Sequence, residues 1–223
     1  MKTVGVVLAG GASRRFGEPK AFALHNGKYF YKRVCEALES HVDDIVIVAR
    51  NEFEDRFGNY TVITDESDFQ GMGPLAGLYS VMRSISSDWY CVLACDMPLI
   101  SQAAVGSLVD AVWHSECFDA VVPKIQGRVQ PLAAMYHNQT VEKLRSLLVQ
   151  DIRKVQVFLD EIQVRYLDEL ALETSPIYFQ NVNRKEDLAR IKGEAAPEGG
   201  FCTQSYLSGE ACRRSANIGE EEQ

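Results

Sequence analysis

Val6–Lys20 reads VVLAGGASRRFGEPK. The apolar run that opens at Val4 and closes at Leu8 reads as a buried strand, and Gly10-Gly11 end it in a loop that carries Arg14, Arg15 and Lys20. Gly10 and Gly11 can adopt backbone geometries closed to other residues and turn N–H groups toward an anion. A solvated basic turn is the plainer alternative. Two familiar phosphate loops do not fit. GxGxxG fails because Gly10-Gly11 is followed only by Gly17, and GxxxxGK[ST] fails because Lys20 arrives late, after Glu18-Pro19, with no Ser or Thr behind it.

Working outward, apolar runs alternate with segments of helical spacing. Strands are expected at Ile45–Ala49, Tyr90–Ala94, Ala120–Pro123, Leu132–Tyr136 and Gln163–Leu167. Helices are expected around Tyr31–Leu38, Leu75–Met82, from a Ser101 cap through Val112, at Val141–Val149 and at Lys185–Ile191. This alternation predicts a three-layer α/β/α domain with a mostly parallel, Rossmann-like sheet. In such folds a ligand lies outside the carboxyl ends of the strands. The glycine loop after Leu8 and Asp96 after Ala94 both fall there.

Residues 1–192 therefore form the expected domain. From Gly193 to Gln223 the chain turns rich in Gly, Ser, Ala and Glu without an apolar period, and it is expected to be a disordered tail. The net charge of -8 argues against general nucleic-acid binding but leaves room for a nucleotide on a local basic loop. No apolar run approaches the roughly 20 residues of a membrane span. Lys2 leads directly into the first strand without a signal-peptide layout, so a cytoplasmic location is expected. The six cysteines lack zinc-like pairing and are expected to be buried free thiols.

Three further stretches bear on chemistry. In Val92–Leu99, VLACDMPL, an apolar strand delivers Asp96 to its carboxyl end. One carboxylate with phosphate oxygens and waters suits Mg²⁺, although an aspartate that only organises the turn before Ser101 has the same spacing. Gly71–Leu78, GMGPLAGL, opens a helix with small residues and has Pro74 in its first turn. Upstream lies Asp65, an acceptor-only carboxylate able to receive N–H groups or to sit in a surface turn.

Taken together, LAGGASRRFGEPK, VLACDMPL, GMGPLAGL and the late Asn181-Val182-Asn183…Glu186-Asp187-Leu188 resemble the signatures of the nucleotidyltransferases that include the molybdenum cofactor guanylyltransferases. The motifs run in order from Val4 to about Leu188. The resemblance implies GMP transfer from GTP to molybdenum-bearing molybdopterin, with release of pyrophosphate. It implies nucleotide contacts at Leu8, Ala9, Gly10, Gly11, Lys20, Asp65 and Asp96, with Asp96 as the Mg²⁺ ligand. Arg15, Lys20 and Asp96 take the catalytic roles, and Arg128, Asn181 and Asn183 the acceptor side. Proteins that supply molybdopterin or mature molybdoenzymes are the implied partners, with no role for nucleic acid or membrane. A cytidylyltransferase for the same pterin, a sugar-phosphate nucleotidyltransferase and a catalytically idle nucleotide-binding delivery module stay open as alternatives. The chain departs from the pattern at Phe16, where Met is usual, and at Val48, where some members carry a nucleotide-contacting Asn; Asn51 is the nearby candidate to replace it.

Overall fold

The computed structural model describes residues 1–11, 13, 15–113 and 117–192. The tail expected over 193–223 lies outside these residues, as do Arg14 and the cysteines at 202 and 212. In chain order the elements are β1 (Thr3–Leu8), β2 (Leu24–His25), β3 (Lys28–Tyr29), α1 (Phe30–Leu38), β4 (Asp44–Val48), β5 (Thr61–Ile63), α2 (Pro74–Ser84), β6 (Trp89–Ala94) and α3 (Gln102–Val112). They continue as β7 (Ala120–Ile125), β8 (Arg128–Val129), β9 (Ala133–His137), α4 (Val141–Val149), α5 (Val155–Asp160), β10 (Val164–Leu167) and α6 (Lys185–Lys192). Short 3₁₀ turns fill several connections, among them Lys20–Phe22 and Asn51–Phe57.

The main sheet has the order β10-β7-β9-β6-β1-β4-β5, with β8 paired to β7. The pairs β6–β1, β1–β4, β4–β5 and β7–β10 are parallel, and β9 runs against both its neighbours. The mostly parallel, Rossmann-like sheet expected from the alternation is therefore present. The reversal of β9 has a local cause. Gln126 and Gly127 both take positive φ (48° and 75°), the geometry of a tight hairpin turn, and send the chain back along β7 as β8. Residues 126–132 are too few for the crossover that a parallel partner would need.

Side chains alternate across the sheet with period two. Val7, Ile47, Leu93, Val121 and Met135 face a core shared with α1 and α3. Val6, Val46, Val48, Val92, Val122 and Ala134 face the other, shared with α2, α4 and α5. Both faces of the central strands are thus covered, which is why β6 is buried at every position and reads as an unbroken apolar run. Ser101 caps α3 as expected, its Oγ accepting the Ala104 N–H at 3.2 Å. A third, smaller cluster joins Phe16, Ala23, Phe30, Leu99 and Val182. Phe16 stands edge-on to Phe30 with centroids 6.2 Å apart, so the exchange from Met keeps a packing role. Cys35, Cys91 and Cys95 are buried free thiols as expected, whereas Cys117 is exposed because it follows α3 on the surface.

Candidate active site

The four strands β6, β1, β4 and β5 end in register: Ala94 lies opposite Leu8, Leu8 opposite Val48, and Val48 opposite Ile63. Two residues past each end come Asp96, Gly10, Arg50 and Asp65. Three strand spacings separate the first from the last, a row of about 14 Å along the carboxyl edge of the sheet. A cavity of about 600 Å³ opens over this row. Leu8, Ala9, Gly10, Gly11, Arg15, Lys20, Asp65, Asp96 and Asn183, all singled out in the sequence, line it.

At the β6 end the charges are interlocked. Lys20 Nζ donates to Asp96 Oδ2 at 2.9 Å and to Asn183 Oδ1 at 2.7 Å. The lysine and aspartate side chains are only 13% and 23% exposed, so their attraction is screened less than at an open surface. The loop is set by Ser13, whose Oγ accepts the Lys20 N–H at 3.0 Å while its carbonyl accepts the N–H groups of Phe16 and Gly17. Asp96 is pinned from two sides, since Cys95 N–H donates to Leu8 O and Val182 N–H donates to Asp96 O at 2.8 Å. Arg15 lines the cavity as an exposed cation.

The glycines of the loop act otherwise than expected. Neither Gly10 nor Gly11 has a left-handed φ; Ser13 (47°) and Gly17 (83°) do. A Cβ on Gly11 would meet nothing within 4 Å, and one on Gly10 only the Val48 carbonyl at 4.0 Å. What these glycines leave is open space against the backbone, the condition for close approach of a ligand.

At the β5 end the site is built by packing. Gly73 (φ 86°) turns the chain into α2, with Pro74 in the first helical position. Gly77 then presses on the strands: a Cβ there would stand 2.9 Å from Val48 Cγ1 and 3.3 Å from Leu8 Cδ2. Asp65 accepts the Gly71 N–H through Oδ2 at 2.9 Å. Burial pushes its carboxyl above the usual aspartate range, and the Gly71 N–H only partly offsets this.

Not every expected residue gathers at the cavity. Arg128 sits exposed on the short strand β8, and Asn181 is exposed outside the lining, whereas Asn183 is drawn in. Asn51 opens an exposed 3₁₀ turn and does not take the place of the missing Asn at Val48. Sequence reasoning missed Arg50, which lines the cavity, pairs with Glu52 at 2.9 Å and lies 4.8 Å over the Phe53 ring. Its signal was positional: two residues beyond a strand end. Ser13 lies inside the loop motif but was given no role, because its hydroxyl acts on the loop's own backbone and not on the cavity chemistry.

A single carboxylate, held by a lysine at the mouth of a crevice, fits a hard divalent cation that keeps water and phosphate oxygens as its other ligands. No group of three or more acidic, His or Cys side chains able to cage a metal occurs among the described residues. Nor is any described helix long and apolar enough to cross a membrane.

An open sheet with a glycine-rich loop after its central strand, and a lysine and a carboxylate side by side at the strand ends, suits a nucleotidyltransferase. The profile of the MobA-like NTP transferase domain matches residues 5–165, and the chain belongs to this family. A probable molybdenum cofactor guanylyltransferase of Geobacillus sp. (strain WCH70) is 42% identical over 193 residues, covering 85% of this chain and 98% of that protein. One from Bacillus licheniformis is 41% identical over 195 residues, covering 86% and 97%. Among solved structures, the molybdopterin-guanine dinucleotide biosynthesis protein A of Archaeoglobus fulgidus superposes with a TM-score of 0.74 at 27% identity, covering 86% of this chain and 97% of that one.

Proposed function

We propose that this enzyme transfers GMP from GTP to molybdopterin carrying molybdenum, forming the guanine dinucleotide cofactor and releasing pyrophosphate in the cytoplasm. The observation that carries this reading is the Lys20–Asp96–Asn183 cluster at one end of a row whose other end presents Asp65. A phosphate oxygen of the acceptor attacks the α-phosphorus of GTP. The bond from that phosphorus to the β-bridging oxygen breaks, and pyrophosphate leaves with the electron pair. The attacking group is already an anion, so no general base is needed, and alignment with charge neutralisation supplies the rate.

Lys20 and Arg15 face the triphosphate and neutralise the charge that grows on the leaving pyrophosphate. Asp96 would hold Mg²⁺, which when bound adds positive charge beside the phosphate oxygens. Asp65, which when ionised can only accept hydrogen bonds, receives the N–H groups of guanine. Asn183 and, farther out, Asn181 and Arg128 lie toward the acceptor. Proteins that supply molybdopterin or receive the finished cofactor are the fitting partners.

Pyrophosphate release measured with each of the four nucleoside triphosphates, in the presence of molybdopterin and Mg²⁺, tests this. GTP is expected to turn over fastest. Preference for CTP would reassign the base, and turnover only with a sugar phosphate the acceptor. GTP binding without any pyrophosphate would make the protein a delivery module.

A further inference from the structure

Asp187 stands in the first turn of α6, outside the cavity. Its Oδ2 accepts two backbone N–H groups, from Arg184 at 2.8 Å and from Asn183 at 3.0 Å. The first bond is the ordinary return of an early helical carboxylate to the residue before the helix. The second reaches one residue farther out, where it does nothing for the helix. It lands on the backbone of the residue whose side chain holds Lys20. Both N–H groups favour the ionised carboxylate, with Arg184 the larger cause and Asn183 the next, so Asp187 titrates below the usual aspartate range.

On the other side of Asn183, Val182 is fully buried in the cluster with Phe16 and Leu99, and its N–H is spent on the Asp96 carbonyl. The backbone is therefore held at two successive residues. From this backbone the Asn183 carboxamide oxygen meets Lys20 Nζ at 2.7 Å. We propose that Asp187 is a positioning residue for the transfer reaction, fixing the Asn183 backbone so that its side-chain oxygen keeps Lys20 Nζ beside Asp96. The inference rests on the reading that Lys20 and Asp96 perform the transfer. Because Lys20 opposes charge that builds during the reaction, losing its placement lowers kcat more than it weakens GTP binding.

The test is a double-mutant cycle on GTP-dependent pyrophosphate release, with thermal melts of every variant. Asn183→Ala and Asp187→Ala are each expected to lower kcat about ten-fold, the usual effect of removing a group that orients a site. The KM for GTP should stay within about two-fold, as befits an interaction felt in the transition state. The double variant should be no slower than Asn183→Ala alone, since Asp187 acts through that residue. Asp187→Asn, which keeps a carbonyl acceptor, should recover most of the rate, and Arg190→Ala, which removes only an exposed ion pair at 3.9 Å, should not change it. Full kcat in Asp187→Ala, or additive losses in the double variant, would overturn the proposal while leaving the function standing. A wild-type protein that releases no pyrophosphate overturns both. Should Asp187→Ala fail to fold, the same cycle run with Asp187→Ser, whose shorter side chain cannot serve both N–H groups as the carboxylate does, is expected to show the same loss of kcat without additivity, and full kcat there overturns the proposal.

Discussion

The two ends of the strand-edge row are built from different materials. At the β6 end, Lys20, Asp96 and Asn183 hold one another through side-chain bonds of 2.7–2.9 Å. At the β5 end, Gly77 lies flat on Val48 and Leu8, and a single carboxylate, Asp65, is fixed by one backbone N–H. At one end a lysine and a carboxylate already face each other, and the other offers shape and a carboxylate with no ion pair among the described residues. The difference suits a reaction in which charge moves at one end of a substrate while the other end is only gripped. Removing a group at the β6 end should therefore cost rate, and at the β5 end affinity.

The largest effect is expected at the β6 end. Lys20→Ala and Asp96→Ala should each lower kcat by about 10²–10³-fold, the size seen when one charge-stabilising group is lost, with the circular dichroism spectrum retained. Near-normal turnover in either variant would erase the contrast between the ends. Next comes Asp65→Asn, expected to weaken GTP binding by about 1–3 kcal/mol of base discrimination while kcat changes little.

Asp65 also gives a pH signature. Burial raises its folded-state value, so its contribution to folding is present at low pH and is lost as pH rises through that raised value. Guanine needs the ionised form, and the affinity for GTP should accordingly fall on acidification sooner than the ordinary aspartate value of 3.8 would give. A GTP titration across pH checks this, with Asp65→Asn expected to flatten the curve. The smallest effect on chemistry belongs to Gly77→Ala. Overpacking against Val48 should cost about 1–3 kcal/mol of stability in a thermal melt, with a raised KM for GTP. A stable variant with unchanged KM would show that α2 can lift off the strands freely.

How much of this could be read beforehand follows the same division. The strand-to-loop stretch after Leu8 and the strand ending before Asp96 were legible because continuous apolar runs mark strands covered on both faces. The reversed strand β9 was not, because an apolar run carries no direction; only the Gln126-Gly127 turn sets it. Asn181 and Asn183 looked alike in sequence. They flank buried Val182, and the N–H bond from Asn183 to Asp187 distinguishes them, a contact that residue type does not encode. Gly10 and Gly11 were noticed for backbone freedom, yet neither takes a left-handed φ, and what they leave is open space beside the backbone. Arg50 escaped notice because it became visible only when the strand ends proved to be in register.

Lys20 and its acceptor Asn183 lie 163 residues apart in sequence. On a ribosome, the loop bearing the lysine emerges early and waits through the making of nearly all the sheet before its amide partner exists. The pairings of β1 with β4 and β6 are complete well before residue 183, so the sheet's centre is specified without the contact between Lys20 and Asn183. The one contact thus ties the first loop of the chain to its last described segment, so the two cannot be ordered independently while it holds.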